Sequence, residues 1–518
     1  MTSRQRLALG VARLTVSLAV TDTVAIAVAL NKLRMNLHAS TAALVWTLNA
    51  YPLAYAVLLP CGAALGARYG HGCVIGLGLG LAAVASTGCA AACTIGFLIA
   101  WRAVQGAACA LAVSAAASPP AGLLPPEAGR RPFSGAGVTL PTAGLLAGGV
   151  LVEIGGWRWL FAAGAVLGAV GAVGAAALVR ESALARVSMS PTAAARTRET
   201  QAGTGLAGPQ PRLDLPGRLA IGVGVLGLAW TVTNGQDAGW WSTQTLTALA
   251  VGLMATGFQL AWHVPLGGLH ARVFIAVNAA QLCVSASLCG GLFLLARYFP
   301  EVTGDGPCMT ALDLAATTAA LVPGAWVFAV LGRRARPGGD EGGGGERHPG
   351  GGRGRGGGRG RGGGRGPAGS RGPVGSRGPV GSRTTAGARG LAAAGLAVQT
   401  LALVWLALAG GPRPGHWPLL GALTATGFGA GLAVSAAREA AEGVGARGRR
   451  ASAPVLGLLD TVHLFGGVLG VATVGALVVA RHQLRLDGAS GAVVPVAWAL
   501  AGVALMGTVA AWALPGHE

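Results

Sequence analysis

Apolar runs of about 16–25 residues recur from one end of this chain to the other, and that recurrence leaves few folds open. Some 18 apolar residues suffice to cross a bilayer as a helix. Hydrocarbon offers no water to backbone N–H and C=O groups, so each crossing segment must close its own hydrogen bonds as a helix. Taken in order, the runs fall at 6–31, 43–61, 73–92, 95–117, 134–152, 158–179, 218–233, 245–262, 274–297, 309–331, 390–409, 419–437, 455–479 and 493–514. They predict an all-α integral membrane protein of 14 spans. Composition agrees, because only 11% of the residues are charged, where a soluble globular chain carries about a quarter.

The net charge of +20 is almost entirely arginine, and Lys32 is the single lysine. An even number of spans puts both termini on one side. Placing that side in the cytoplasm collects most of the 38 basic residues there, among them Arg130, Arg131, Arg447, Arg449 and Arg450, as the positive-inside rule prefers. The expected location is therefore the cell membrane, multi-pass, with both termini cytoplasmic. The first run carries Arg13 and Asp22 and lacks a clean cleavage site, so it reads as a retained helix rather than a signal peptide. The eight cysteines lie in or beside apolar runs without metal-ligand spacing, so we expect packing residues, no metal and no cofactor.

Two interruptions divide the chain. Residues 181–213, rich in Thr, Ala, Ser and Gly, read as a flexible cytoplasmic linker. Residues 332–389 are of low complexity, with Arg-Gly-Gly runs followed by Gly-Pro-Val-Gly-Ser-Arg repeats at Gly372 and Gly378. Glycine at every third position is the collagen period, and Arg-Gly-Gly tracts bind RNA in disordered proteins. So short and charged a run reads instead as a solvated linker leaning on anionic lipid, with no nucleic-acid partner.

Within the fourth run, Leu98 to Leu111, sits one permanently charged residue, Arg102. A guanidinium in hydrocarbon costs roughly 3 kcal/mol on insertion scales, so it must face a partner or a water-filled path. Gln105 lies a turn away on the same face, and Gly106 lets another helix approach closely. Arg102-x-x-Gln105-Gly106 resembles the fourth-helix motif of proton-coupled antiporters in the major facilitator superfamily. The closest form is the fourteen-helix drug:proton antiporter family of multidrug and quaternary-ammonium exporters. Further stretches resemble that family. Asp22 occupies the acid position of its first-helix motif, and Trp46-Thr47-Leu48-Asn49-Ala50-Tyr51 its second-helix motif. Gly62, Leu65, Arg68 and Gly70 match its gating loop, although Ala67 stands where the family has Asp. Gly144, Gly148 and Gly149 fit its glycine-rich fifth helix, and Gly156-Trp157-Arg158-Trp159 the start of its sixth, where the Trp pair also reads as an interfacial anchor. Asp460 and His463 replace Asn and Arg in its thirteenth-helix motif; three apart on one face, they are placed to share a proton.

The resemblance implies a major facilitator fold of two six-helix bundles plus two extra spans. The expected organisation is 1–180 for the first bundle, 181–213 a linker, 214–262 the extra spans, 263–331 and 390–518 the second bundle, and 332–389 a cytoplasmic linker. It implies a monomeric secondary transporter in the lipid bilayer, not an enzyme, exporting a small-molecule drug, antibiotic or secondary metabolite against inward-moving protons. Asp22, Arg102 and Gln105 would couple protons; Trp46, Asn49, Tyr51, Asp460 and His463 would face substrate; Gly62, Arg68, Gly70, Gly144, Gly148 and Gly149 would gate or hinge. Asp313 reads as a helix-end residue, and matching depths of Asp22 and Arg102 suggest that these two pair. The alternatives are export of an endogenous metabolite or lipid with altered coupling, a membrane-embedded transferase, and an RNA-binding adaptor built on the Arg-Gly linker.

Overall fold

The computed structural model describes residues 2–117, 136–187, 215–263, 269–298, 300, 304–334, 382–409, 416–447, 452–483 and 489–512. Among them the regular structure is helical, without strands. In chain order the helices are α1 (Ser3–Val24), α2 (Ile26–Leu37), α3 (Thr41–Tyr69), α4 (His71–Ala90), α5 (Ile95–Ala117), α6 (Ala136–Gly155), α7 (Trp157–Val187), α8 (Leu215–Ala238), α9 (Thr243–His263), α10 (Leu269–Tyr298), α11 (Pro307–Arg334), α12 (Ser382–Ala409), α13 (His416–Arg447), α14 (Ser452–Gln483) and α15 (Ala489–Trp512). Ala25 separates α1 from α2 with helical dihedrals of its own, so the two continue as one rod jointed at that residue.

A helix overlies every apolar run picked out above, and among the described residues eleven are long and apolar enough to cross a membrane. Most of the two linkers lies outside the described residues. Their described edges, 181–187, 332–334 and 382–389, are helical, so the helices outrun the hydropathy boundaries. This is ordinary physics: once nucleated, a helix propagates into polar sequence until a breaker stops it. Tight turns come where glycine permits them. Gly70 (φ 96°) joins α3 to α4 and Gly156 (φ 78°) joins α6 to α7, in a left-handed region that side chains with a Cβ rarely adopt.

The same set of pairings occurs twice. In the first half α3 packs on α5, α4 on α5 and α7, and α1 on α6 and α7; in the second, α11 packs on α13, α12 on α13 and α15, and α10 on α14 and α15. Small residues make these contacts close, the normal device where lipid gives helices no hydrophobic reason to associate. A Cβ on Gly62 would stand 2.3 Å from Leu111 O and one on Gly106 2.2 Å from Tyr51 O, binding α3 to α5. The second-half counterpart is α11 on α13, where a Cβ on Gly427 would meet Thr317 O and one on Gly431 would stand 2.3 Å from Leu321 O. Helices α8 and α9 pack on each other, and α8 lies along α3 and α14.

The halves meet through α6 with α11 and α3 with α14. Gly149 abuts Ala311, Glu153 accepts from Cys308 N at 3.3 Å, and Val45 abuts Gly475, all toward one end of the molecule. Toward the other end, Ala67, Arg68 and Tyr69 of α3 and Arg438 of α13 are exposed. The Trp pair divides: Trp157, at the start of α7, is buried with Arg158 stacked 4.4 Å over its ring, while Trp159 is exposed. Asp313, expected at a helix end, is buried inside α11.

Candidate functional site

Two features lie side by side near the middle of the helix array: a buried polar cluster inside the first half, and a cavity between the halves. The cluster is built on Arg102, whose side chain is fully buried. Its Nη1 donates to Gln105 Oε1 at 2.8 Å, a contact that the i, i+3 spacing on α5 makes available. Its Nη2 donates to the main-chain O of Asp22 at 3.1 Å. Gln105 Nε2 donates to Asp22 Oδ2 and to Ser86 Oγ, each at 2.8 Å. The guanidinium also stacks over the Tyr51 ring, 4.5 Å from its centroid, with Phe161 at 5.9 Å. Quadrupole attraction of this kind strengthens when desolvated, which offsets part of the burial cost.

Small residues bring the cluster together. Gly106 lets Tyr51 of α3 lie against α5, and Tyr51 OH donates to Ala19 O of α1 at 3.1 Å. A Cβ on Gly164 of α7 would come 3.5 Å from Asp22 Oδ1 and 3.4 Å from Ser86 Oγ, so α7 closes the cluster from the far side. Asp22 and Arg102 are thus joined through Gln105 and the main chain, where a direct ion pair was expected.

The cavity, counted with the open space at its mouth, spans about 750 Å³ and draws its wall from both halves. Thr23, Val24 and Ala27 come from the jointed α1–α2 rod, Leu48, Asn49 and Pro52 from α3, and Leu145 from α6. Facing them are Ser285, Cys289, Leu292 and Phe293 of α10, Leu314 of α11, and His463, Leu464, Gly467, Val468 and Val471 of α14. Asn49 Nδ2 donates to Val468 O at 3.1 Å, a hydrogen bond across the two halves.

Of the residues expected to face substrate, Asn49 and His463 line this cavity and three do not. Tyr51 turns into the Arg102 cluster. Trp46 packs beside Leu53, Val225, Phe465 and Val468, near α8. Asp460 is paired with Arg438 Nη2 at 2.6 Å, both side chains nearly half exposed. Nor do Asp460 and His463 share a proton by direct contact: His463 Nδ1 is bonded at 2.7 Å to Gln281 Nε2 of α10. One helix face is shared by residues at i and i+3, but neighbouring helices at different depths claim them.

The expected gating residues are dispersed. Gly144 and Gly148 of α6 lie against Thr21 and Ala25, and Gly149 lies against Ala311. Helix α6 is unbroken, and the joint in this region is Ala25 on the rod that Gly148 touches. Gly62 clamps α3 to α5, Gly70 makes the α3–α4 turn, and Arg68 is exposed with its guanidinium 5.4 Å from the Tyr69 ring. Sequence reading missed Ser86, Gln281, Ser285 and Arg438. Gln281 and Arg438 carried a usable signal, because a polar side chain in or bordering an apolar run needs a partner. Ser86 and Ser285 carried none among so many small residues.

The pattern of the Major Facilitator Superfamily matches residues 14–336, more than half of the chain. This chain belongs to the Major Facilitator Superfamily. It is a multi-pass membrane protein of a transporter family, which is not an enzyme class. Among its relatives, the methylenomycin A resistance protein of Bacillus subtilis (strain 168) is 28% identical over 333 residues, 62% of this chain and 66% of the relative. The tetracenomycin C resistance and export protein of Streptomyces glaucescens is 26% identical over 330 residues, 61% of this chain and 57% of the relative. The matched stretch therefore spans less than two thirds of either relative. In fold the chain is similar to a bacterial homolog of the human lysosomal transporter Spinster, with a TM-score of 0.60 at 15% identity over 99% of this chain and 97% of that one. The nucleoside transporter NupG gives 0.57 at 12% identity over the full length of both. The resemblance drawn from Arg102, Gln105 and Gly106 thus holds, and these relatives bear names of antibiotic resistance and export.

Proposed function

We propose that this chain is a fourteen-span exporter that moves lipophilic antibiotics, drugs or secondary metabolites out of the cell in exchange for protons, working as a single chain with both termini in the cytoplasm. The observation that carries the reading is the placement of Asp22. Its carboxylate is held by Gln105 inside the first half, and the next two residues, Thr23 and Val24, form wall of the cavity. Protonation of Asp22 weakens its hold on the Gln105 amide one residue from the surface a cargo touches, so proton and cargo act on one segment of α1. Two six-helix bundles, with α8 and α9 beside them, would rock about the contacts of α6 with α11 and α3 with α14. The end bearing Arg438 and Asp460 would then be the cytoplasmic mouth. The names of relatives support the cargo class: resistance to methylenomycin A in one, resistance to and export of tetracenomycin C in another.

The test is proton movement in inside-out vesicles energised with a pH gradient, challenged with a panel of lipophilic antibiotics. Collapse of the gradient that depends on compound, and is lost in Asp22→Asn, supports exchange. Export of a compound with the gradient untouched would leave a transporter without proton coupling. Deleting 338–388 should change little; loss of function there would instead favour an adaptor built on the Arg-Gly segment.

A further inference from the structure

Among the described residues the lining of the cavity includes neither Asp nor Glu. Asp313, next to the lining residue Leu314, is itself buried in α11. Asp22 accepts from Gln105 on the bundle side, and Asp460 is neutralised by Arg438. A permanent cation placed here would give up its water for Leu, Val, Phe and Ala side chains with no counter-charge, which is a strongly unfavourable exchange.

The polar side chains of the wall are Thr23 and Asn49 on the first half and Ser285, Cys289 and His463 on the second; Thr23 Oγ1 donates to Ala19 O and Asn49 Nδ2 to Val468 O. Gln281 Nε2 lies 2.7 Å from His463 Nδ1; with the amide in this orientation its N–H donates, Nδ1 accepts and the neutral ring carries its proton on Nε2. Gln281 is itself buried, at 3% exposure, which fixes the ring from behind. His463 thereby keeps one N–H donor on a residue of the wall, where the Thr23 hydroxyl and the Asn49 amide already donate within the protein. A donor in such a place discriminates by what it leaves unsatisfied: a cargo with a matching oxygen gains a hydrogen bond, and one without it strands a polar group.

Resting on the exporter reading above, we infer that the cavity selects lipophilic molecules bearing an accepting oxygen, such as a ketone or quinone carbonyl or a carboxylate, docked on His463 Nε2–H, and discriminates against permanent cations. The full chain in lipid nanodiscs tests this with three radiolabelled probes: 9-fluorenone, its hydrocarbon counterpart fluorene, and tetraphenylphosphonium. Fluorenone should bind saturably and better than fluorene, and tetraphenylphosphonium should not compete. His463→Leu should weaken fluorenone about tenfold, the worth of one hydrogen bond, and leave fluorene unchanged. His463→Gln, which keeps an amide donor, should lose less, and Gln281→Leu, which frees Nδ1, should fall between. Tetraphenylphosphonium binding as tightly as fluorenone would overturn the inference and leave the exporter reading standing. Equal effects of His463→Leu on fluorenone and fluorene would overturn it as well. Failure of all three probes to bind folded protein would count against both readings.

Discussion

Asp22 and Arg102 meet through an amide: Gln105 accepts from the guanidinium with Oε1 and donates to the carboxylate with Nε2, both at 2.8 Å. The side-chain amide is suited to this because it is donor and acceptor at once. Gln105→Leu takes away both functions and leaves a buried carboxylate and a buried guanidinium each short of a partner. Breaking such a network costs about 3 kcal/mol or more, so the thermal transition of the purified protein should fall and compound-dependent proton flux should vanish. Gln105→Glu still offers Arg102 an acceptor but sets a second carboxyl group against Asp22, so the two must hold one proton between them and compound-dependent flux should be lost. Unchanged flux in either variant would remove Gln105 from the coupling path.

The Arg102 cluster also depends on close approach of α3 to α5. A methyl group on Gly106 would overlap the Tyr51 carbonyl at 2.2 Å, and backbone gives way less readily than side chains. Overpacking of this kind costs about 1–3 kcal/mol. Gly106→Ala should therefore lower stability and lift the Tyr51 ring off the guanidinium. Gly96→Ala, at a position on the same helix where a Cβ meets nothing within 4 Å, should be nearly neutral. Thermal melts of the pair in detergent would check this.

Asn49 ties the halves together through Val468 O. Asn49→Leu keeps volume and removes the donor, at a net cost of about 1 kcal/mol. That corresponds to roughly a fivefold shift of population toward separated halves at this contact. Hydrogen–deuterium exchange of the α3 and α14 amides along this seam should rise in the variant; unchanged exchange would mean that the bond does not hold the halves.

The Arg438–Asp460 pair is short, at 2.6 Å, yet nearly half exposed on both sides. Water and salt screen such a pair, so its contribution is about 1 kcal/mol or less. A double-mutant cycle of Arg438→Gln with Asp460→Asn should give a small coupling that shrinks as salt rises. A large salt-independent coupling would mean the pair works in a drier place than its exposure implies.

Much of this arrangement was legible in the residues. Apolar runs placed the helices because hydrocarbon permits little else, and Arg102 with Gln105 announced a shared face because i and i+3 always lie together on a helix. What escaped was decided between helices distant in sequence. Tyr51 belongs to the guanidinium and not to the cavity because Gly62 and Gly106 set which side of α3 meets α5. Asp460 and His463 part company because Arg438 comes from α13 and Gln281 from α10. Neither choice leaves a trace in the local pattern of either helix, since the packing residues are glycines and alanines that occur everywhere in this chain.

The contact of Gly149 with Ala311 sits near one end of α11, and Arg334 closes the other end about 35 Å away at 1.5 Å per residue. Were the halves to rock about this contact as proposed, the leverage would be long: a tilt of roughly ten degrees would swing the distal end by about 6 Å while the contact itself barely slid. The aperture would therefore be governed by tolerances of a single methyl group at the fulcrum. A side chain added at Gly149 would act as a shim, wedging the distal ends to a different width without touching a residue of the cavity.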